Sequence, residues 1–254
     1  MASLVRFSAL VRKGLRFRDE FEAAKRSIPS PGFEWYPYDC FANLFPLQRL
    51  LRDSGLSLEE VIASGPVLDL GAADGALSLF FESLGCRVDA LDNAGTNINR
   101  MKGIRALAAG MKSTIDIRDA DLDARFELDG NYGTALFLGT LYHLKNPFYA
   151  LETLSRHARY CFLSTRVARW NPSKSIRLND APVAYLLDAH ECNGDVTNYW
   201  IFSPPGLTRL ASRAGWEVRA STCTGSSESD PASAQGDERM FLLLGSNRVS
   251  NGAE

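Results

Sequence analysis

Two neighbouring stretches restrict the fold more than anything else in the chain. Val67-Leu68-Asp69-Leu70-Gly71-Ala72-Ala73-Asp74-Gly75 is an apolar run entering a glycine-bearing turn, and a helical pattern follows it. Cys86-Arg87-Val88-Asp89-Ala90-Leu91-Asp92 is a second apolar run that ends on an acid, about 20 residues past the turn. A strand, a tight turn, a helix and a second strand closed by an acid put a nucleoside at the edge of a parallel sheet. The glycine spacing then discriminates among nucleotides. Counting G-x-G-x-x-G from Gly71, the second position is Ala73 and the third is Ala76. The second glycine is what lets backbone approach a pyrophosphate. Its absence argues against NAD or FAD and fits a nucleoside without phosphate.

Strand and helix patterns alternate from there. Strands are predicted at 67–70, 87–91, 113–117, 135–138, 160–165, 216–222 and 240–245. Helices are predicted at 76–84, 97–109, 147–157 and 205–214. The pattern predicts an α/β fold, a doubly wound, seven-stranded and mostly parallel sheet. The last two strands are joined by a Ser/Gly/Ala tract at 225–236 with no room for a crossover helix, so the final pair is predicted antiparallel. Before the sheet lie an amphipathic helix over 3–28, a helix over 43–54 and a helix capped by Ser57. Residues 1–64 are therefore read as an N-terminal helical cap, and 65–254 as the main domain. Residues 166–200 break the alternation with polar and aromatic residues of no clean period. A long insertion that follows a strand emerges at the ligand-binding edge, so it is read as a lid.

Composition narrows the classes. The net charge of -2 gives no global attraction to nucleic acid or membrane. Five cysteines (Cys40, Cys86, Cys161, Cys192 and Cys223) include no C-x-x-C pair, so neither a zinc site nor a disulfide framework is expected. An odd number fits reduced thiols and a cytoplasmic location. No apolar run reaches the length of a membrane span, and the first 21 residues do not read as a secretory signal. Oligomeric state is not readable.

The glycine turn, with Asp92 at the end of the second strand, resembles class I S-adenosylmethionine-dependent methyltransferases over roughly residues 65–245. Phe137-Leu138-Gly139-Thr140-Leu141-Tyr142-His143-Leu144-Lys145-Asn146-Pro147 is similar to the fourth-strand motif of a narrower branch. That branch includes the bacterial carboxymethyltransferase of tRNA wobble uridine. Trp35-Tyr36-Pro37-Tyr38-Asp39 and Asn198-Tyr199-Trp200 resemble it as well.

The resemblance implies a cofactor site of Asp69, Gly71, Ala72, Gly75, Asp92, Asn93, Asp119, Ala120, Leu138 and Gly139. Glycine backbone admits close approach, and Asp69 would accept from the cofactor ammonium. Asp92 would accept from both ribose hydroxyls; the alternative is that it caps a helix beginning near Thr96. Asp119 and Ala120 would wall the adenine, or else form a solvated acidic loop. His143 is the candidate general base, its ordinary pKa suiting proton removal from a hydroxyl or amine. Methyl transfer also runs on alignment alone, in which case His143 only holds its loop. His190 and Glu191 are further candidates for substrate contact or base. Trp35, Tyr36, Tyr38, Tyr185, Tyr199 and Trp200, with Tyr142 beside His143, are candidate substrate walls or, alternatively, seals for the N-terminal helices. Arg166, with Arg169, would bind an anionic group, or else the two belong to an exposed charged loop.

Three functions follow. The first is methyl transfer from S-adenosyl-L-methionine to an oxygen or nitrogen of a small molecule, leaving S-adenosyl-L-homocysteine. The second is tRNA modification, with methyl or carboxy-S-adenosylmethionine chemistry, supported by the basic N-terminal residues Arg6, Arg12, Lys13, Arg16 and Arg18. The third is non-catalytic cofactor binding on the same scaffold.

Overall fold

The computed structural model describes residues 9–28, 32–232 and 237–249. The predicted start of the first helix at residue 3, together with Arg6, lies outside the described residues, as does the end of the 225–236 tract. The chain divides into two compact units, Met1–Leu136 and Phe137–Glu254.

The first unit opens with α1 (Ala9–Ser27), whose Leu10, Gly14, Phe17 and Phe21 form one buried stripe. Phe17 and Phe21 pack on Phe41, and Phe17 on Phe80. α2 (Leu44–Ser54) stops at Gly55 in the left-handed region, and α3 (Leu58–Ala63) begins with a reciprocal capping box between Ser57 and Glu60. Gly65-Pro66 then ends the helical run, and β1 (Val67–Leu70) follows with all four residues buried. α4 (Ala76–Ser83) is buried from Ala76 through Phe81, as a sequence this apolar all round requires. β2 (Val88–Asp92), α5 (Lys102–Gly110), β3 (Asp116–Asp119) and β4 (Tyr132–Leu138) complete the order; β4 carries its last two residues into the second unit. β1 pairs in parallel with β2 on one side and β4 on the other, and β3 pairs with β2. The order β3-β2-β1-β4 reverses direction at β1, so its carboxyl end is where an open α/β sheet binds ligands.

The second unit contains α6 (Pro147–His157), β5 (Ala158–Val167), β6 (Ala184–Leu186), β7 (Trp200–Phe202), α7 (Pro204–Arg213), β8 (Trp216–Gly225) and β9 (Glu238–Ser246). β9 runs antiparallel to both β5 and β8, as the helix-free connection requires. The fold is α/β, with a mostly parallel sheet, an antiparallel last strand and a helical N-terminal segment.

Two predictions on element layout need correction. Residues 166–200 are not wholly irregular. They hold β6 and the start of β7, an antiparallel pair, with β7 joined to β5 through Val167 and Phe202. Ala168, Leu187, Cys192 and Ile201 give the segment a small core of its own. Nine strands are described where seven were expected, because three-residue strands are too short to print a period on the sequence. The helix expected from residue 97 begins at Lys102. Asn97 Oδ1 accepts from Asn99 N at 3.1 Å and from Met101 N at 2.9 Å, and Asn99 Oδ1 accepts from Gly103 N at 3.0 Å. These side chains take the amide protons that an earlier helical turn would have used, with Arg100 and Met101 in the left-handed region.

Candidate functional site

In the first unit the site forms where β1 and β2 end. Gly71 and Gly75 have φ of 72° and 78°, and Gly75 starts α4. A Cβ on Gly75 would sit 2.6 Å from Ile104 Cγ1, so α5 packs directly against the turn. Ala73, at the position of the missing second glycine, also has positive φ (51°). Its methyl group stands where a pyrophosphate cradle needs bare backbone.

Asp92 closes this loop. Its Oδ2 accepts from Ala73 N at 2.8 Å and from Asn97 Nδ2 at 2.9 Å, and its Oδ1 from Asn93 N at 2.8 Å. It does not cap a helix near Thr96. Burial shifts its pKa upward, against the hydrogen bonds from Asn97, Ala73 and Asn93 that favour the charged form. Asn93 Oδ1 holds Gly95 N, and Asp119 Oδ1 holds Ala94 N at 2.9 Å, while Ala120 N bonds Asp92 O. Asp119 and Ala120 therefore meet the Asn93–Ala94 segment at the end of β2.

Asp69 is 6% exposed, and its Oδ2 accepts from Ser78 Oγ at 2.6 Å. Burial raises its pKa to about 6, with the nearby Asp92 charge adding to the rise and the Ser78 hydrogen bond opposing it. Asp74, inside the same glycine motif, organises the other side of the turn. It accepts from Tyr36 N at 2.6 Å and Asn99 Nδ2 at 2.7 Å, with Lys25 Nζ 3.9 Å away. Lys25 also lies over the ring of Trp35. A small cleft beside the turn is walled by Lys25, Tyr36, Tyr38, Cys40, Phe41 and Asp74. Trp35, Tyr36 and Tyr38 are thus gathered at the glycine turn.

The second unit holds a separate polar cluster. Leu138 ends β4, and Gly139 turns the chain with φ 76° while its N–H bonds Ser164 O. A single turn of 3-10 helix, Leu141–His143, follows. Tyr142 O accepts from Tyr199 N, and Lys145 O from Trp200 Nε1, so Tyr142, Tyr199 and Trp200 come together. His143 Nδ1 lies 2.9 Å from Thr197 Oγ1 and 3.3 Å from Thr197 O; Thr197 Oγ1 donates to Asp195 Oδ1 at 2.6 Å. Burial lowers the His143 pKa, while the Asp195 charge works the other way. Arg166 is buried, with its guanidinium against Cys192 and Asp237. Arg169 forms a two-pronged pair with Glu238. Glu191 accepts from Tyr185 Oη at 2.6 Å. Among the described residues, no group of three or more His, Cys, Asp or Glu is placed to hold a metal ion, and no helix is long and apolar enough to cross a membrane.

A parallel sheet reversing at β1, a left-handed glycine turn and an acid hooked onto that turn define a nucleoside-binding type of α/β protein. The sequence matches the family described as Methyltransferase domain over residues 37–221, and the chain belongs to that family. Solved structures share the fold. A Bacillus halodurans protein described as a methyltransferase is 14% identical, with TM-score 0.58 over 80% of this chain and 99% of that one. The N-terminal domain of EvdMO1, crystallised in the presence of SAH and D-fucose, is 18% identical, with TM-score 0.54 over 91% and 97%. The PH0226 protein of Pyrococcus horikoshii OT3 is 14% identical, with TM-score 0.53 over 81% and 90%. No curated protein matches.

Proposed function

We propose that this protein transfers a methyl group from S-adenosylmethionine to an oxygen or nitrogen nucleophile of a small molecule, releasing S-adenosylhomocysteine. The observation that carries the reading is the bond from Ala73 N to Asp92 Oδ2 at 2.8 Å. It makes the turn and the ribose acid one rigid element, with an alanine in place of the pyrophosphate glycine. The EvdMO1 domain's SAH accords with this donor.

The residues fit the cofactor. Asp69 offers a buried carboxylate to an ammonium. Gly71 and Gly75 bring backbone close to the amino-acid portion. Asp92 already accepts three hydrogen bonds, and a carboxylate has about four lone-pair sites. A ribose diol needs two, so one donor must leave. Of the three donors only the Asn97 amide belongs to a side chain, and its departure would also loosen the bonds that its Oδ1 accepts from Asn99 N and Met101 N. Asp119 and Ala120 bound the adenine side. When bound, the cofactor supplies an electrophilic methyl on a sulfonium. His143 takes the proton that the acceptor loses as its lone pair forms the new bond. Tyr142, Tyr199 and Trp200 offer flat surfaces to the acceptor.

A second reading, tRNA modification, draws on the exposed Arg12, Lys13 and Arg16 of α1 and on the Leu141–Pro147 stretch. One assay separates the two. Protein incubated with methyl-labelled S-adenosylmethionine, a metabolite extract and bulk tRNA should label the small-molecule fraction. Label in tRNA, with retention on tRNA at about 150 mM salt, would establish the second reading instead. Stoichiometric cofactor binding with no transfer to either fraction would favour the non-catalytic reading. Mass spectrometry of the nucleoside carried by the purified protein distinguishes methyl from carboxymethyl donor. Replacing His143 with alanine should lower turnover by about 10²–10⁴-fold.

A further inference from the structure

The polar contacts of His143 run through two residues that no motif marks. Nδ1 faces two oxygens, both from Thr197. The carbonyl, at 3.3 Å, can only accept. The hydroxyl, at 2.9 Å, has a single proton, and that proton is directed to Asp195 Oδ1 at 2.6 Å. Asp195 Oδ1 also accepts the Thr197 backbone N–H at 2.9 Å, which fixes it as an acceptor. The Thr197 oxygen therefore has only a lone pair left for the ring.

We infer that Thr197 and Asp195 are positioning residues that hold His143 as its Nδ1–H tautomer, leaving the Nε2 lone pair as the proton acceptor. The catalytic meaning of the relay rests on the base role proposed above; the tautomer itself does not. The remaining groups around the ring agree with a neutral imidazole. Tyr142 stacks on it with centroids 4.0 Å apart, and the Arg239 guanidinium lies over Tyr142 at 5.7 Å. Burial and Arg239 disfavour the imidazolium, and Asp195 partly offsets them. Orientation of a histidine through its second nitrogen is how a base is held ready for proton transfer.

The test is long-range proton–nitrogen NMR on nitrogen-15-labelled protein near neutral pH, with the His143 signals assigned by their loss in His143→Gln. Wild type should carry its ring proton on Nδ1. Asp195→Ala frees the Thr197 hydroxyl to donate, so the proton should move to Nε2. Thr197→Val should weaken the Nδ1 preference, leaving only the backbone carbonyl at 3.3 Å to accept, and Thr197→Ser should keep it in full, which separates the hydroxyl from mere packing. With an acceptor in hand, kcat should fall about tenfold in Thr197→Val with little change in KM, and recover in Thr197→Ser. A wild-type proton on Nε2 overturns the inference. So does an Nδ1 proton indifferent to both Asp195→Ala and Thr197→Val. Near-normal turnover in His143→Ala is a separate failure: it removes the base role, and with it the catalytic meaning of the relay, whatever tautomer is seen.

Discussion

The glycine turn of the first unit and the His143 loop of the second achieve order by different means. At the turn, Asp69, Gly71, Ala73, Gly75, Asp92 and Asn97 lie within thirty residues of one another, and much of the geometry is backbone. Asp92 reaches Ala73 across 19 positions of sequence and Asn97 across five. The His143 loop instead depends on side chains, and Thr197 is 54 positions away. A site built largely on local backbone tolerates few substitutions, and here Lys25, Tyr36 and Asn99 brace it through Asp74. A site made of distant side chains depends on the packing of its insertion, here around Ala168, Leu187, Cys192 and Ile201. The practical lesson is that variants at the turn should damage stability together with affinity, whereas variants around His143 should change chemistry at nearly constant stability.

Gly75→Ala should have the largest effect. It forces an L side chain to positive φ and drives a methyl group into Ile104, at a combined cost of about 2–4 kcal/mol. Thermal unfolding would register it; an unchanged Tm would mean the turn is far softer than its geometry implies. Asn99→Ala comes next, with a loss of about 1–3 kcal/mol, because it strips the buried Asp74 of one donor and leaves Gly103 N without its side-chain acceptor. Chemical denaturation reads that loss, and a neutral result would show that Lys25 and Tyr36 N suffice to hold Asp74.

A third expectation concerns pH. In the proposed role Asp69 holds a cationic amino group and does so only when ionised, and its pKa is raised from 3.8 to about 6. Cofactor affinity should therefore fall as pH drops below about 6, by up to about tenfold per unit. The stability of the free protein should respond in the opposite sense. A raised carboxyl pKa favours the folded state at and below the unfolded value, and this contribution is lost as pH rises through about 6. Calorimetry and melting curves across pH 4–8 would check both signs, and parallel trends would contradict the assignment. The smallest effect should come from Ser78→Ala, which removes the hydrogen bond that opposes the rise. It should move the affinity break to higher pH; a break that stays in place would mean Ser78 does not act on the ionised form.

The difference between the two regions also explains what was legible in the sequence. Gly71, Gly75 and Asp92 could be read because a strand, a tight turn and a second strand impose fixed spacing on neighbours. The parallel order around β1 and the antiparallel β8–β9 pair followed from connection length alone. Asp74 sat in the same motif, yet its partners Lys25, Tyr36 and Asn99 come from three other segments. Asn97 and Asn99 carried a usable signal: a cluster of asparagines just after a strand marks backbone amides that side chains will claim, and it should have delayed the predicted start of α5. Thr197 and Asp195 carried none. They lie in a segment without period, their roles exist only once it has folded, and a threonine there reads like any loop residue.

Calorimetric titration with S-adenosylmethionine, with NAD as the control, decides whether the turn selects a nucleoside without phosphate. One S-adenosylmethionine per chain should bind saturably and NAD should not, with Asp92→Ala weakening the former by more than about tenfold. Absence of binding to S-adenosylmethionine, or equal binding of NAD, would contradict that selection.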